Sequence, residues 1–125
     1  MIKVTAFAYT AYPVTDLNRA KAFYQDLLGL KPGTVWGNDQ QGWIEYELGD
    51  GTLAIGNIAG DKWKPSASGP CLALEVADFD AAIATLRDAG TPFTVEPLDT
   101  GACRMGIVSD PDGNSLLIHH RKPEA

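Results

Sequence analysis

A chain of 125 residues, 45% hydrophobic and 21% charged, has the size and composition of one globular domain that can bury a single real core. Its formal net charge of −6 and pI near 4.7 exclude a surface built for nucleic acid or anionic membrane, because both need a positive field to hold them. No run approaches the roughly 20 apolar residues of a membrane span, and the first residues lead into a strand pattern without a signal-peptide core, so a cytoplasmic protein is expected.

The first predicted element is a strand over residues 5–12. A helix over 17–28 follows, with Asp16 as N-cap, Leu17, Ala20, Phe23, Tyr24, Leu27 and Leu28 on one stripe, and Gly29 just past its end. Strands are then predicted over 34–36, 43–48 and 52–58, the last two joined at the turn signal Asp50-Gly51. Residues 59–70, rich in Gly, Ser, Pro and Lys, read as a linker or flap. Trp63 within it is expected to pack back on its own domain or on a partner subunit, with stacking on a ligand as the competing reading. The order then repeats: a strand over 71–76, a helix over 79–89 capped by Asp78, and strands over 94–96, 104–109 and 115–120 around Asp112-Gly113.

Asp16 and Asp78 lie 62 residues apart, as do Ala20 and Ala82 and the two Asp-Gly turns, so the chain is a tandem repeat. It divides into a βαβββ module over 1–58, a linker over 59–70 and a second βαβββ module over 71–120. The expected class is α+β, with the two modules forming a curved mixed sheet around a cavity.

Strand alternation decides which side chains meet that cavity. Leu72, Leu74 and Val76 belong under a helix, which turns Cys71, Ala73 and Glu75 to the opposite face; Leu116 and Ile118 likewise turn Ser115, Leu117 and His119 to that face. The repeat places Phe7, Tyr9 and Ala11 with them. The predicted cavity residues are Phe7, Tyr9, Trp36, Trp43, Cys71, Glu75, Arg104, Leu117 and His119. The aromatics suit a flat apolar ligand. Glu75 suits a cationic group or a raised-pKa base, and Arg104 an anionic group, with a rim position bonded to nearby acids as its bland alternative. His119 is a base or a half-solvated strand-end residue, and Glu45 and Glu47 lie in the cavity or on a solvated edge, the edge being preferred. Cys71 and Cys103 fit no zinc or redox spacing and read as free thiols.

The stretches Tyr12-Pro13-Val14-Thr15-Asp16-Leu17, Arg19-Ala20, Phe23-Tyr24 and Leu28-Gly29-Leu30 resemble the vicinal oxygen chelate superfamily of glyoxalase I, bleomycin-resistance proteins and extradiol dioxygenases. Leu74-Glu75-Val76-Ala77-Asp78-Phe79-Asp80-Ala81-Ala82 and Asp110-Pro111-Asp112-Gly113-Asn114 extend the resemblance to the second half. It implies that metal-dependent members hold a divalent ion through first-strand residues and a carboxylate late in each module. Those positions fall here on Tyr9, Cys71, Leu117 and Ile55, or on Ala54 if the alignment slips by one. The resemblance therefore implies a metal-free small-molecule binder of the bleomycin-resistance type, without cofactor, and a homodimer whose partner helps close the cavity. One alternative is a lyase, isomerase or dioxygenase with a metal site rearranged around His119, Cys71 and one of Glu45, Glu47 or Glu75. Another is an accessory or assembly domain with a vestigial pocket. No catalytic residue is assigned.

Overall fold

The computed structural model describes residues 1–123. The first module contains β1 (Thr10–Pro13), α1 (Leu17–Lys21), β2 (Pro32–Gly37), β3 (Gly42–Leu48) and β4 (Gly51–Gly56). The second contains β5 (Leu72–Glu75), α2 (Phe79–Asp88), β6 (Phe93–Asp99), β7 (Cys103–Ser109) and β8 (Ser115–Arg121). Each forms a four-stranded sheet, in the orders β1-β4-β3-β2 and β5-β8-β7-β6, with the first pair of each parallel and the rest antiparallel. The α+β class and the tandem βαβββ design are those expected from the repeat. No helix among the described residues is long and apolar enough to cross a membrane.

Both helices start where their capping chemistry requires. The Asp16 carboxylate accepts the Arg19 N–H at 3.0 Å and the Asp78 carboxylate accepts the Ala81 N–H at 3.0 Å, each satisfying a donor left free by the first turn. Beyond Lys21 the first helix widens into a π-helix over Ala22–Leu27. A wider turn makes consecutive side chains diverge less, and the adjacent Phe23 and Tyr24 are both buried there, edge to face with centroids 5.0 Å apart.

The first strand departs from expectation: it begins at Thr10, and residues 1–9 pair with no strand. Thr10 already stands opposite Leu53, near the start of β4, so the chain before it overshoots the sheet and finds no hydrogen-bonding partner there. Met1, Ile2, Val4 and Phe7 are exposed on this arm.

One core serves both modules. Tyr12, Ile44, Tyr46, Leu53 and Ile55 from the first sheet and Leu17, Ala20, Phe23 and Tyr24 from its helix join Phe79, Leu86, Val108, Leu116 and Ile118 of the second module. A polar clasp fixes the docking. Tyr24 Oη donates to Asp110 Oδ2 at 2.7 Å, and Asn114 Nδ2 donates to the Pro13 carbonyl at 2.8 Å. Tyr12 Oη donates to the Ser115 carbonyl and accepts the Leu72 N–H, both at 2.7 Å. Among the described residues no buried side-chain nitrogen or oxygen lacks a partner. Both sheets turn their helix-bearing sides into this shared core, which leaves their opposite faces uncovered by the chain's own helices.

Candidate functional site

The open face of the first sheet is an aromatic wall. Trp36 and Trp43 are cross-strand neighbours on β2 and β3, so they share a face. Tyr9 meets Trp43 edge-on with centroids 5.4 Å apart, and Trp63 stacks against Trp43 at 6.3 Å and 28°. Trp43 Nε1 donates to Glu45 Oε2 at 2.9 Å, which sets a carboxylate within the wall. Gly56, opposite Trp43 on β4, has no side chain, and that lets the indole lie on the strand: a Cβ there would come within 2.6 Å of Trp43 Cε3.

Trp63 packs back on its own domain, as expected, and in doing so joins the wall, whereas Glu45, preferred as a solvated edge residue, is tied to Trp43. Glu47 instead accepts the Thr52 hydroxyl at 2.9 Å on the exposed end of the same hairpin.

The open face of the second sheet combines aliphatic side chains with the pair Glu75 and His119, and Cys103 and Arg121 lie in the row beyond them. Ala73, Leu117 and Ile107 lie across β5, β8 and β7 in one row, and Glu75, His119 and Met105 in the next. His119 Nδ1 lies 2.5 Å from Glu75 Oε1, and the Arg121 backbone N–H donates to Glu75 Oε2 at 2.8 Å. The Arg121 N–H first, and the His119 ring second, hold the Glu75 carboxyl below its usual range. His120 turns the other way, its Nδ1 2.7 Å from the Val76 carbonyl.

Three of the predicted residues, Phe7, Tyr9 and Glu75, line one cleft. Phe7 stands exposed on the N-terminal arm and, with Tyr9, Leu72 and Ala73, lines this cleft of about 580 Å³ between the edges of β1 and β5. Cys71 is an exposed free thiol just before β5, and Cys103 is a free, half-buried one. Arg104 is a correction: it bonds Asp80 Oδ1 of α2 at 2.7 Å with its guanidinium 4.6 Å from the Phe79 ring centroid. It therefore lies on the helix side of its sheet, one residue out of phase with Met105, and does not face the open side.

The sheet registers also correct the repeat alignment. Ala11 stands opposite Ala54 and Ala73 opposite Leu117, so Ala54 rather than Ile55 is the counterpart of Leu117. The second turn is one residue longer, as Tyr46 opposite Leu53 and Val108 opposite Leu116 make plain, and Ile55 is fully buried in the core. The set Tyr9, Ala54, Cys71 and Leu117 supplies no imidazole or carboxylate, so these residues do not fit the divalent ion of metal-dependent relatives. Among the described residues no group of three or more His, Cys, Asp or Glu comes together to hold a metal.

Comparison with known proteins agrees with this architecture. The family model described as Glyoxalase/Bleomycin resistance protein/Dioxygenase superfamily matches residues 6–118. The chain is 30% identical to a lactoylglutathione lyase of Haemophilus influenzae, with 91% of each chain covered. Its fold resembles that of TnmS3, an antibiotic binding protein from Streptomyces, at TM-score 0.77 and 24% identity, covering 98% of this chain and all of that one. It likewise resembles a glyoxylase/bleomycin resistance protein/dioxygenase domain from Frankia, at TM-score 0.73 and 17% identity, covering 96% of this chain and all of that one.

Proposed function

The chain belongs to the Glyoxalase/Bleomycin resistance protein/Dioxygenase superfamily, and on that premise we propose that it binds a small, partly aromatic or cationic molecule, without a metal ion, at a site that two copies of the chain complete. The observation that carries this reading is the wall of Tyr9, Trp43 and Trp63 standing on an open face with Glu45 bonded inside it. Indole faces stack on flat rings and attract cations, and a carboxylate beside them adds to that attraction. What one chain leaves uncovered supports the homodimer: two open faces, sheet edges that include β1 and β5, and an arm presenting Val4 and Phe7 to solvent. An aromatic face from one copy opposed to the aliphatic face of another would enclose a planar guest on both sides. The name of the Haemophilus relative suggests a lyase instead, but Ala54 and Leu117 have no donor with which to polarise a substrate oxygen through a metal.

The test is a tryptophan-fluorescence and thermal-shift titration with planar aromatic cations, run with and without a chelator, alongside light scattering. Saturable quenching, a melting temperature that climbs as RT ln(1 + [L]/Kd), insensitivity to chelator and a dimer mass are expected. A monomer that no probe stabilises, or one stoichiometric divalent ion required for binding, would sink the proposal.

A further inference from the structure

Glu75 and His119 stand directly opposite each other on the parallel strands β5 and β8, both on the open face of the second sheet. The two carboxylate oxygens of Glu75 are committed within the chain, Oε1 to His119 Nδ1 and Oε2 to the Arg121 N–H. Of the pair, His119 Nε2 is the nitrogen left without a partner among the described residues, while both Glu75 oxygens already hold one. An ionised carboxylate at Nδ1 fixes the ring tautomer: the proton sits on Nδ1 and the lone pair on Nε2. His119 Nε2 has no partner among the described residues, its side chain is 24% exposed, and it is flanked by Met105 across the ladder. That lone pair lies on the face that also bears Met105, Ile107 and Leu117, with Cys103 and Arg121 in the next row, where it can accept a proton from a bound molecule.

We propose that His119 Nε2 takes the proton of an acidic hydroxyl, phenolic or enolic, on the molecule bound at this face, so that the ligand is held as its oxyanion. In that step the ligand O–H bond breaks and an Nε2–H bond forms. The electron pair stays on oxygen, and the new imidazolium lies between that oxyanion and the Glu75 carboxylate. Nothing else in the ligand changes, and no co-reactant is needed. Other acids fit less well. A carboxylic acid is already ionised near neutral pH and brings no proton, while an ammonium group that gave up its proton would lose the charge that attracts it. The inference rests on the binding reading above and specifies one functional group of the ligand.

The probes are 4-nitrophenol, whose neutral and ionised forms absorb at different wavelengths, and 4-nitroanisole, which has the same ring and no proton to give. With the full-length protein, held at a pH where free 4-nitrophenol is mostly neutral, binding should raise the phenolate band and exceed the affinity for 4-nitroanisole at least tenfold. His119→Gln should abolish both the band and the preference for 4-nitrophenol over 4-nitroanisole. Glu75→Gln, which keeps an acceptor for the Arg121 N–H, should lower the bound phenolate fraction. A band and preference that survive in His119→Gln overturn the dyad proposal and leave small-molecule binding standing; failure of the wild type to bind either probe counts against both. Long-range ¹H–¹⁵N correlations of the unliganded wild type add a check that no folding defect can obscure: Nδ1–H is expected for His119, and an Nε2–H tautomer overturns the proposal.

Discussion

The Tyr24 hydroxyl donates to Asp110 Oδ2 at 2.7 Å across the interface between the two modules, and both residues are buried. Asp110 accepts three further bonds, from the Asp112 and Asn114 N–H groups on Oδ1 and from Asn114 Nδ2 on Oδ2. Burial first, and the neighbouring Asp110 charge second, push the Tyr24 hydroxyl far above its usual range, so it remains a neutral donor. The first helix and the Asp-Pro-Asp-Gly turn are thereby welded through one carboxylate, 86 residues apart in sequence.

Removing this bond should cost real stability. Tyr24→Phe is expected to destabilise by about 1–2 kcal/mol and Asp110→Ala by about 3 kcal/mol or more, because the alanine strands several buried donors at once. Urea denaturation of both single variants and the double variant should give a coupling of about 1 kcal/mol or more. Strictly additive losses would mean that the bond does not link the modules energetically.

Gly56 makes a second prediction about the aromatic wall. A methyl group there would meet the Trp43 ring at 2.6 Å and the Gly42 carbonyl at 3.1 Å, so the ring has to lift away from β4. Gly56→Ala should destabilise by about 1–3 kcal/mol as an overpacked site, and weaken binding of an aromatic probe about tenfold. Near-ultraviolet circular dichroism reports the Trp43–Trp63 geometry directly, and a spectrum matching the wild type would contradict the placement of Trp43.

What the sequence made legible and what it hid divide along the range of the interactions. The caps Asp16 and Asp78 act on the next three residues, so they could be read directly and were matched by the bonds to Arg19 and Ala81. The start of β1 depends on where β4 begins, 41 residues further along the chain, and the alternating apolar arm reads as part of a longer strand. Arg104 was misplaced because β7 reads equally well from either parity until Met105 is seen opposite His119. Ile55 and Ala54 both remain open in the sequence because a single extra turn residue is invisible to a fixed offset. Docking of the two modules is equally long-range: strand pattern tells which face is apolar, while the Tyr24–Asp110 and Pro13–Asn114 bonds fix how the faces meet.

The N-terminal arm gives a test of assembly. Val4 and Phe7 contribute nothing to the core of their own chain, being 85% and 104% exposed, so polar substitutions there should be nearly silent in a monomer. If a second copy covers them, Val4→Ser with Phe7→Ser should shift the mass from dimer to monomer in light scattering. It should also remove the concentration dependence of the melting temperature expected of the wild type. A double variant with unchanged mass and melting temperature would place the dimer contact elsewhere.

Alkaline stability tests the tyrosine core. Burial raises the hydroxyls of Tyr12, Tyr24 and Tyr46, the last to about 12. Each folded-state value lies above the unfolded value of about 10, so the neutral form belongs to the fold. Stability should therefore be level in this respect below about pH 10 and decline as pH rises through that range, by up to about 1.4 kcal/mol per pH unit for each such tyrosine. Tyr46→Phe should flatten part of that decline while costing about 1 kcal/mol at neutral pH, through loss of the 2.9 Å bond to Gln25 Oε1. Urea unfolding from pH 8 to 11.5, paired with spectrophotometric tyrosine titration, measures both effects. Ionisation of all four tyrosines together near 10, with no loss of folding free energy, would refute the buried placement of Tyr12, Tyr24 and Tyr46.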